Sequence, residues 1–370
     1  MARTGKEISK VSAYTVPLPV AIDAATAAVL QALVKESVPG NTRAALASAL
    51  RYWEAWHLAR YGEPLPLPSE PVPLATVLTY IADHTVLKSA DGRQVFNMPA
   101  KVERTLLACG AKRRKGPPRF ATWSQRLSML SRAHGMIGLP NPCREAAVSD
   151  LVRLAKTPAE EHGLLPQRHP PAMREAIEAM LDVCDDSPTG VRDRALLLFA
   201  FASGGRRRSE VAGAIFQQLE HRVDPDGAIY FLYYLTGAKR QAAGERRPKP
   251  VRGRAARALE AWVAILQAAK KPQDGPIFRP VRGLKKVWIG DKLSGHAIND
   301  ILKGRATQAG LDPALTAHSL RGGFITQAHR DGLDVLDAMA LSDHRDFKTV
   351  KDHYLGEIEV ENNPTGTLMP

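Results

Sequence analysis

Large apolar residues recur at steps of three and four along two stretches of the first 150 residues, and no other feature restricts the possible folds of this chain more. Residues 41–62, "NTRAALASALRYWEAWHLARYG", place on one such stripe Leu46, Leu50, Trp53 and His57. Residues 122–140, "TWSQRLSMLSRAHGMIGLP", do the same with Trp123, Leu127, Leu130 and His134. Because this spacing lines one face of an α-helix, we expect the first 150 residues to be entirely helical.

The second half of the chain combines helices with a small pair of strands. Residues 191–205, "VRDRALLLFAFASGG", are nearly all apolar up to the two glycines, which indicates a buried helix. From Ile229 to Leu235 aromatic and aliphatic residues alternate, and after a polar loop a short return is expected near 249–251. The predicted fold class is therefore mainly α with a small β-hairpin or sheet.

A proline-rich and charged stretch divides these two halves. Residues 156–172 show little periodicity, as expected of a linker between domains. We therefore predict a helical domain at 23–155 and a second domain at 173–356. Residues 1–22 are predicted to form an amino-terminal arm and residues 357–370 a carboxyl-terminal tail.

The net charge favours a polyanionic partner. Lysine and arginine number 51 against 38 aspartate and glutamate, giving a formal charge of +13. Cations that neutralise phosphates release condensed counterions from nucleic acid, which drives binding. The predicted DNA contacts are Arg43 and Arg51 of the first helical stretch, Lys112, Arg113, Arg114, Lys115 and Arg119 of the loop "AKRRKGPPR", and Arg240, Arg246 and Arg247 of the polar hairpin loop.

Cysteine usage and hydropathy exclude several other classes. The three cysteines, Cys109, Cys143 and Cys184, lack the spacing of a disulfide framework or a zinc site. No apolar run approaches the length of a membrane span, and residues 1–20 lack the apolar stretch of a secretory signal. We therefore expect a protein of the reducing cell interior, without a membrane partner.

Residues that could bind an anion together cluster in two segments. Thr316 can cap a helix that ends near Gly332, and on it His318 and Arg321 stand one turn apart on the same face. His344 follows in a turn, and a last helix contains Tyr354. The second segment, "GGRRRSE" (204–210), opens a helix with three arginines, one of which Glu210 can anchor.

These elements, in this order and with a lysine in the hairpin loop, resemble the tyrosine recombinases of the phage integrase family, which share their catalytic fold with type IB topoisomerases. The stretches 41–56 and 122–143 are similar to the family's helical core-binding domain. The resemblance extends from roughly residue 25 to 356. It implies a two-domain DNA clamp, with a core-binding domain at 23–155 and a tyrosine-recombinase catalytic domain at 173–356.

The resemblance also implies a role for each matching residue. The six catalytic positions are Arg207, Lys239, His318, Arg321, His344 and Tyr354, with Glu210 in support. The two arginines would hold the phosphate, His318 would accept or share the proton of the tyrosine, Lys239 would protonate the departing 5′ hydroxyl, and His344 would donate a further hydrogen bond. Tyr354 would be the nucleophile. The chain departs from the family pattern in one respect. The family often places its tyrosine nine residues after the histidine, whereas here the ninth residue after His344 is His353 and the tenth is Tyr354.

The chemistry accounts for these residue types. Attack of a phenolic oxygen on a phosphodiester builds negative charge on the equatorial oxygens of phosphorus, which two guanidiniums can bind with forked hydrogen bonds. A free tyrosine has a pKa near 10, so nearby cations that favour phenolate assist the attack. No metal or other cofactor is needed in this reaction. The tyrosyl phosphate conserves the bond energy, so another 5′ hydroxyl can reverse the step without ATP.

The prediction is therefore a site-specific DNA recombinase that works through a covalent 3′-phosphotyrosine link, for integration, excision or resolution. Its expected partners are double-stranded DNA with inverted-repeat sites and three further copies of the chain, forming a homotetramer on two sites. The expected location is the nucleoid of a prokaryotic cytoplasm. Two alternatives stay open: a type IB topoisomerase-like enzyme, and a noncatalytic DNA-binding accessory protein on the same fold.

Overall fold

The chain divides into two compact units, residues 1–167 and 168–370. The computed structural model describes the following ranges: 23–37, 40–165, 169–235, 248–283, 287–344 and 346–351. The predicted arm at 1–22 and tail at 357–370 lie outside these ranges. Both units are mainly helical with small sheets, which confirms the predicted fold class, although the sequence predicted strands in the second unit alone.

The first unit is built mostly of helices. Its elements are α1 (Ala24–Ser37), α2 (Gly40–Tyr61), α3 (Leu74–His84), β1 (Val86–Lys88), β2 (Gln94–Phe96), α4 (Ala100–Ala108), α5 (Phe120–Ile137), α6 (Ala146–Leu154) and α7 (Lys156–Glu161). The two predicted stripes lie on α2 and α5, and all eight of their residues are buried. The helical spacing thus identified the faces that form the core.

Aromatic rings dominate the core of the first unit. The ring of Trp53 stacks on that of Tyr80 with centroids 3.8 Å apart. Trp56 meets both rings edge-on and donates a hydrogen bond from Nε1 to Asp83 at 3.0 Å. Packing of this kind adds about 0.5–1.5 kcal/mol per aromatic pair beyond the burial of area.

The prediction that the first 150 residues are entirely helical was wrong at residues 86–96. Strands β1 and β2 form an antiparallel hairpin there, with Val86 opposite Phe96. Thr85 and Val86 are β-branched, and Gly92 takes a positive φ of 78° in the turn. These preferences end α3 at His84 although apolar residues continue to Leu87.

The predicted linker, 156–172, contains more regular structure than its composition indicated. Residues Lys156–Glu161 form α7, and Ala159 on it is buried. Proline at position 158 lies in the first turn, where its missing N–H breaks no helical hydrogen bond. The division between the two units, after Gln167, falls inside the segment.

The second unit carries a three-stranded sheet among its helices. Its elements are α8 (Arg174–Asp182), α9 (Pro188–Ala202), α10 (Arg208–Ala212), β3 (Leu219–Val223), β4 (Ile229–Tyr233), β5 (Lys249–Val251), α11 (Gly253–Ala268), β6 (Val281–Arg282), β7 (Trp288–Ile289), α12 (Gly295–Gln308), α13 (Ala317–Arg330), α14 (Val335–Ser342) and α15 (Phe347–Val350).

Helix α9 forms the centre of the second unit, as its apolar sequence predicted. It packs against α11, and Phe199 on it contacts both Tyr233 and Phe278 edge-on. The predicted strands are β4 and β5, which pair antiparallel with Tyr233 opposite Lys249. Strand β3, the other neighbour of β4, was not predicted from the sequence.

The described residues offer neither a membrane span nor a cluster of metal ligands. No helix among them is long and apolar enough to cross a membrane. Within the same ranges, no three histidine, cysteine, aspartate or glutamate side chains gather where they could hold a metal ion.

Candidate active site

Helix α13 carries two of the predicted catalytic residues. It begins after Thr316, whose backbone N–H donates to Oγ of Ser319 at 3.1 Å, and it ends before Gly332, which takes a positive φ of 78°. His318 is exposed in the first turn, whereas Arg321 is 1% exposed. Because the start of the helix is fixed, His318 lies at the surface and Arg321 lies in the interior.

The guanidinium of Arg321 joins two distant segments. Its Nε donates to Nε2 of His344 at 3.1 Å, and one Nη donates to the carbonyl of Gly205 at 3.4 Å. Gly205 immediately precedes the row of arginines at 206–208. Three predicted segments, which lie far apart in sequence, thus meet at one side chain.

His344 is a neutral hydrogen-bond acceptor in this arrangement. Burial first, and then the charges of Arg321, Arg207, His318 and Arg206, lower its pKa to about 3. Since Arg321 Nε always donates, the single imidazole proton lies on Nδ1, which contacts Oγ of Ser342 at 2.8 Å. The serine in turn donates to the carbonyl of Ala338 at 2.8 Å.

In the DNA-free structure this tautomer does not fit the donor role predicted for His344. A neutral imidazole with its proton on Nδ1 has no proton on Nε2 to donate to a phosphate. His344 instead accepts from Arg321 and fixes the plane of its guanidinium.

Arg207 lies at the start of α10 and is half-exposed. Its backbone N–H and one Nη both donate to the carboxylate of Glu210, at 3.0 and 2.7 Å. The prediction that Glu210 anchors one of the three arginines is confirmed. Helix α10 spans only Arg208–Ala212, so its dipole contributes little to anion binding.

A buried ionic cluster beside these residues, formed by Arg206, Lys249 and Asp343, was not predicted from the sequence. Arg206 is completely buried and donates to one oxygen of Asp343 at 2.7 Å. Lys249, whose side chain is 2% exposed, donates to the other oxygen at 2.8 Å. Because the three positions are separated by dozens of residues, no local pattern marks them. The one available signal was the position of Lys249 at the start of the predicted return strand.

Two glycines allow the chain segments of the site to approach closely. Gly204 and Gly205 have φ of 104° and 67°. A Cβ on Gly204 would lie 2.3 Å from the carbonyl oxygen of Leu341, and one on Gly205 would lie 2.6 Å from Cα of Arg321. Only glycine fits both positions, so the end of α9 can contact α13 and α14.

Several predicted residues lie outside the described ranges. They are Lys239, Arg240, Arg246, Arg247 and Tyr354. Among the described residues of the predicted hairpin, Lys249 is bound through its ammonium group to Asp343 and to the carbonyl of Ala340.

The basic loop of the first unit divides into exposed and buried cations. Four of its predicted DNA contacts are exposed: Arg113, Arg114, Lys115 and Arg119. The prediction for Lys112 does not fit its placement, since its side chain is 8% exposed and pairs with Glu103. The glutamate comes from α4, outside the loop, so the loop's own composition did not reveal it. Of the helix α2 residues, Arg51 is exposed and Arg43 half-buried.

The chain is similar in sequence and in fold to several known proteins. The sequence model of the phage integrase family matches residues 173–358. Tyrosine recombinase XerC 1 of Ralstonia nicotianae is 30% identical over 210 residues, which cover 54% of this chain and 60% of that protein. Tyrosine recombinase XerD of Xanthomonas axonopodis pv. citri is 30% identical over 220 residues, covering 55% and 66%.

The matches thus cover 60% and 66% of these two curated relatives, so this chain spans less than two thirds of the length of either. Among solved structures, the Tn1549 transposon integrase in complex with circular intermediate DNA aligns with a TM-score of 0.50 at 13% identity. The alignment covers 87% of this chain and 92% of that one. At this identity the similarity supports the fold alone.

Proposed function

The chain belongs to the phage integrase family, and from this premise we propose that it is a site-specific DNA recombinase that cleaves and rejoins strands through a covalent 3′-phosphotyrosine link. One observation carries the proposal. Arg321 hydrogen-bonds both to His344 and to the glycine that leads into the arginine row. Residues of the matching motifs are therefore neighbours in space.

The positive charges of Arg207 and Arg321 would stabilise a phosphodiester in its transition state. Arg207 and Arg321 would bind the equatorial oxygens, where negative charge develops as the phenolic oxygen attacks phosphorus. Forked hydrogen bonds from guanidinium groups bind such oxygens in a fixed orientation. Glu210 would orient Arg207, and His344 would orient Arg321.

The proton transfers are assigned to the remaining residues of the motif set. His318 would accept the proton of Tyr354. It is exposed on α13 and lies close enough to His344 to contribute to the lowered pKa of His344. The 3′ phosphate would then be bonded to the tyrosine, and Lys239 would give a proton to the departing 5′ hydroxyl. Only 1% of Arg321 is exposed, so its contact with a phosphate requires a local rearrangement of the site when DNA binds.

The proposed partner is double-stranded DNA with inverted-repeat sites, bound by a tetramer on two sites. The positive charge of the chain and the exposed arginines and lysine of the basic loop support a DNA partner. The solved structures of similar fold include an integrase in complex with DNA.

The test is the formation of a covalent adduct. The whole protein is incubated with nicked duplexes taken from the DNA that flanks its gene, so that the cleaved fragment diffuses away and traps the adduct. Tyr354→Phe is compared with Tyr230→Phe, which removes a phenol from strand β4. We expect a denaturation-resistant adduct with the natural protein and with Tyr230→Phe, and none with Tyr354→Phe.

Other outcomes separate the alternatives. An adduct that survives Tyr354→Phe would place the nucleophile elsewhere. An adduct accompanied by relaxation of a supercoiled plasmid, but never by strand exchange between two sites, would indicate a type IB topoisomerase-like enzyme. Tight binding of the same duplexes without an adduct from the natural protein would favour the accessory role.

A further inference from the structure

The carboxyl-terminal end of α14 is held by two buried cations from different parts of the second unit. Lys249, the first residue of β5, donates to the carbonyl of Ala340 at 2.6 Å. Arg206, from the loop after α9, donates to the carbonyl of Leu341. The last carbonyls of a helix carry partial negative charge and lack partners within the helix, so both contacts are favourable.

Asp343 completes this cluster from the position that follows α14. It takes the left-handed conformation, with φ of 55°, and each of its carboxylate oxygens accepts from a different cation. Burial alone would raise the pKa of Asp343, but hydrogen bonds from Lys249 and Arg206 hold it below its ordinary value of 3.8. Asp343 therefore remains charged and links β5 to the loop after α9.

The cluster adjoins the proposed site on two sides. Asp343 directly precedes His344, so the turn that it fixes determines where the imidazole meets Arg321. On the other side, Arg206 precedes Arg207, and the carboxylate of Glu210 lies 3.7 Å from Arg206 and 2.7 Å from Arg207.

We propose that Asp343, together with Arg206 and Lys249, is a positioning residue for strand cleavage, because it sets the orientation of His344 and of the loop that carries Arg207. The inference rests on the proposed function for its effect on cleavage. Its effect on His344 is independent of that function. None of the three residues touches the phosphate in this scheme.

The experiment compares Asp343→Asn with Asp334→Ala. Asparagine has the size of aspartate and tolerates the left-handed conformation, but it leaves the two buried cations without a carboxylate. Asp334 caps the opposite end of α14, where it accepts from the N–H groups of Leu336 and Asp337. Its loss should lower the stability of the same helix without disturbing His344.

Three quantities are measured on each whole protein. They are the dissociation constant for the duplex, the single-turnover rate of adduct formation at saturating duplex, and the ¹⁵N spectrum of the histidine rings. The signal of His344 is identified by its loss in His344→Gln. For Asp343→Asn we expect a cleavage rate at least about tenfold lower, a dissociation constant within about threefold of the natural one, and a His344 signal that departs from the Nδ1–H tautomer.

For Asp334→Ala the cleavage rate and the His344 signal should stay unchanged. If Asp343→Asn behaves like Asp334→Ala in both, the cluster has only a structural role and the inference is overturned. If the natural protein forms no adduct but Asp343→Asn still shifts the His344 signal, positioning is upheld and the proposed function fails. If the slower cleavage by Asp343→Asn is explained entirely by a smaller fraction of folded protein, the inference is also contradicted.

Discussion

Arg321 donates from Nε to Nε2 of His344 at 3.1 Å across 23 positions of sequence. The hydrogen bond involves one edge of the Arg321 guanidinium, so the orientation of that group depends on the neutral imidazole of His344. Histidine with a pKa held near 3 stays neutral through the physiological range, so this orientation does not change between pH 5 and 8.

Arg321→Lys should reduce strand cleavage by at least about 100-fold while changing duplex affinity little. Lysine keeps the positive charge but lacks Nε and the fork, and removal of one transition-state donor typically lowers the rate by a factor of roughly 10²–10³. The measurement is the single-turnover rate of adduct formation at saturating duplex.

Arg330→Lys is the matched control. Arg330 lies in the last turn of the same helix and is more exposed than Arg321, so this substitution should leave the rate unchanged. Equal rates for the two variants would remove Arg321 from the proposed clamp.

Gly205→Ala should destabilise the second unit by at least about 2 kcal/mol. An alanine would have to hold a φ of 67°, and its Cβ would lie 2.6 Å from Cα of Arg321. Gly304→Ala is the control, because Gly304 lies inside α12 and its surroundings leave open space for a methyl group. That change should stabilise the protein by up to about 1 kcal/mol, and urea unfolding measures both. Similar stabilities of the two variants would contradict the close approach of the chains.

The sequence predicted those parts of the fold that depend on local spacing. The stripes on α2 and α5, the apolar α9 and the bounds of α13 follow from periodicity and caps within one segment. The hairpin β1–β2 was not predicted because each of its strands has three residues. Such short strands do not show the alternation of apolar and polar residues that identifies a strand.

The buried cluster could not be predicted for a different reason. Arg206 stands between a glycine and two more arginines, and nothing in this order shows which of the three is buried. Its burial depends on Asp343 and Lys249, which tertiary folding brings to it. The family motifs, by contrast, include residues from distant segments, and that is why resemblance indicated a site that periodicity could not.

Stability of the first unit should fall as the pH is lowered from 6.5 to 3, partly because of His84. This side chain is 1% exposed; its Nδ1 lies 2.6 Å from the carbonyl of Tyr80 and its Nε2 lies 2.6 Å from the hydroxyl of Tyr52. Burial above all, with the charges of Arg126 and Lys112 acting in the same direction, lowers its pKa from 6.5 to about 3.

The sign follows from proton binding. Between pH 6.5 and 3 the unfolded chain binds a proton at His84 and the folded chain does not, so acid favours unfolding by up to about 1.4 kcal/mol per pH unit. His84→Gln should be less stable than the natural protein at pH 7, and the difference should shrink as the pH falls towards 4. Urea unfolding at several pH values tests this, and a difference independent of pH would contradict it.

The basic loop offers a test that separates a cation supporting the fold from one that binds DNA. The ammonium group of Lys112 pairs with Glu103, donates to the carbonyl of Gly116 and lies 4.6 Å from the ring centre of Phe96. Glu103 also accepts from the N–H of Gly116 at 2.7 Å. These contacts close the loop around a buried ion pair, whereas Arg114 in the same loop is exposed.

Lys112→Met should therefore destabilise the first unit by about 3 kcal/mol, because it leaves the carboxylate of Glu103 buried without its cation. Arg114→Gln should leave stability unchanged but reduce the slope of log affinity against log salt by about 0.9, the value for one lost phosphate contact. Urea unfolding and duplex binding at several salt concentrations measure the two effects. A smaller salt slope with unchanged stability in Lys112→Met would instead return Lys112 to the DNA-binding surface, since only a cation that reaches a phosphate alters counterion release.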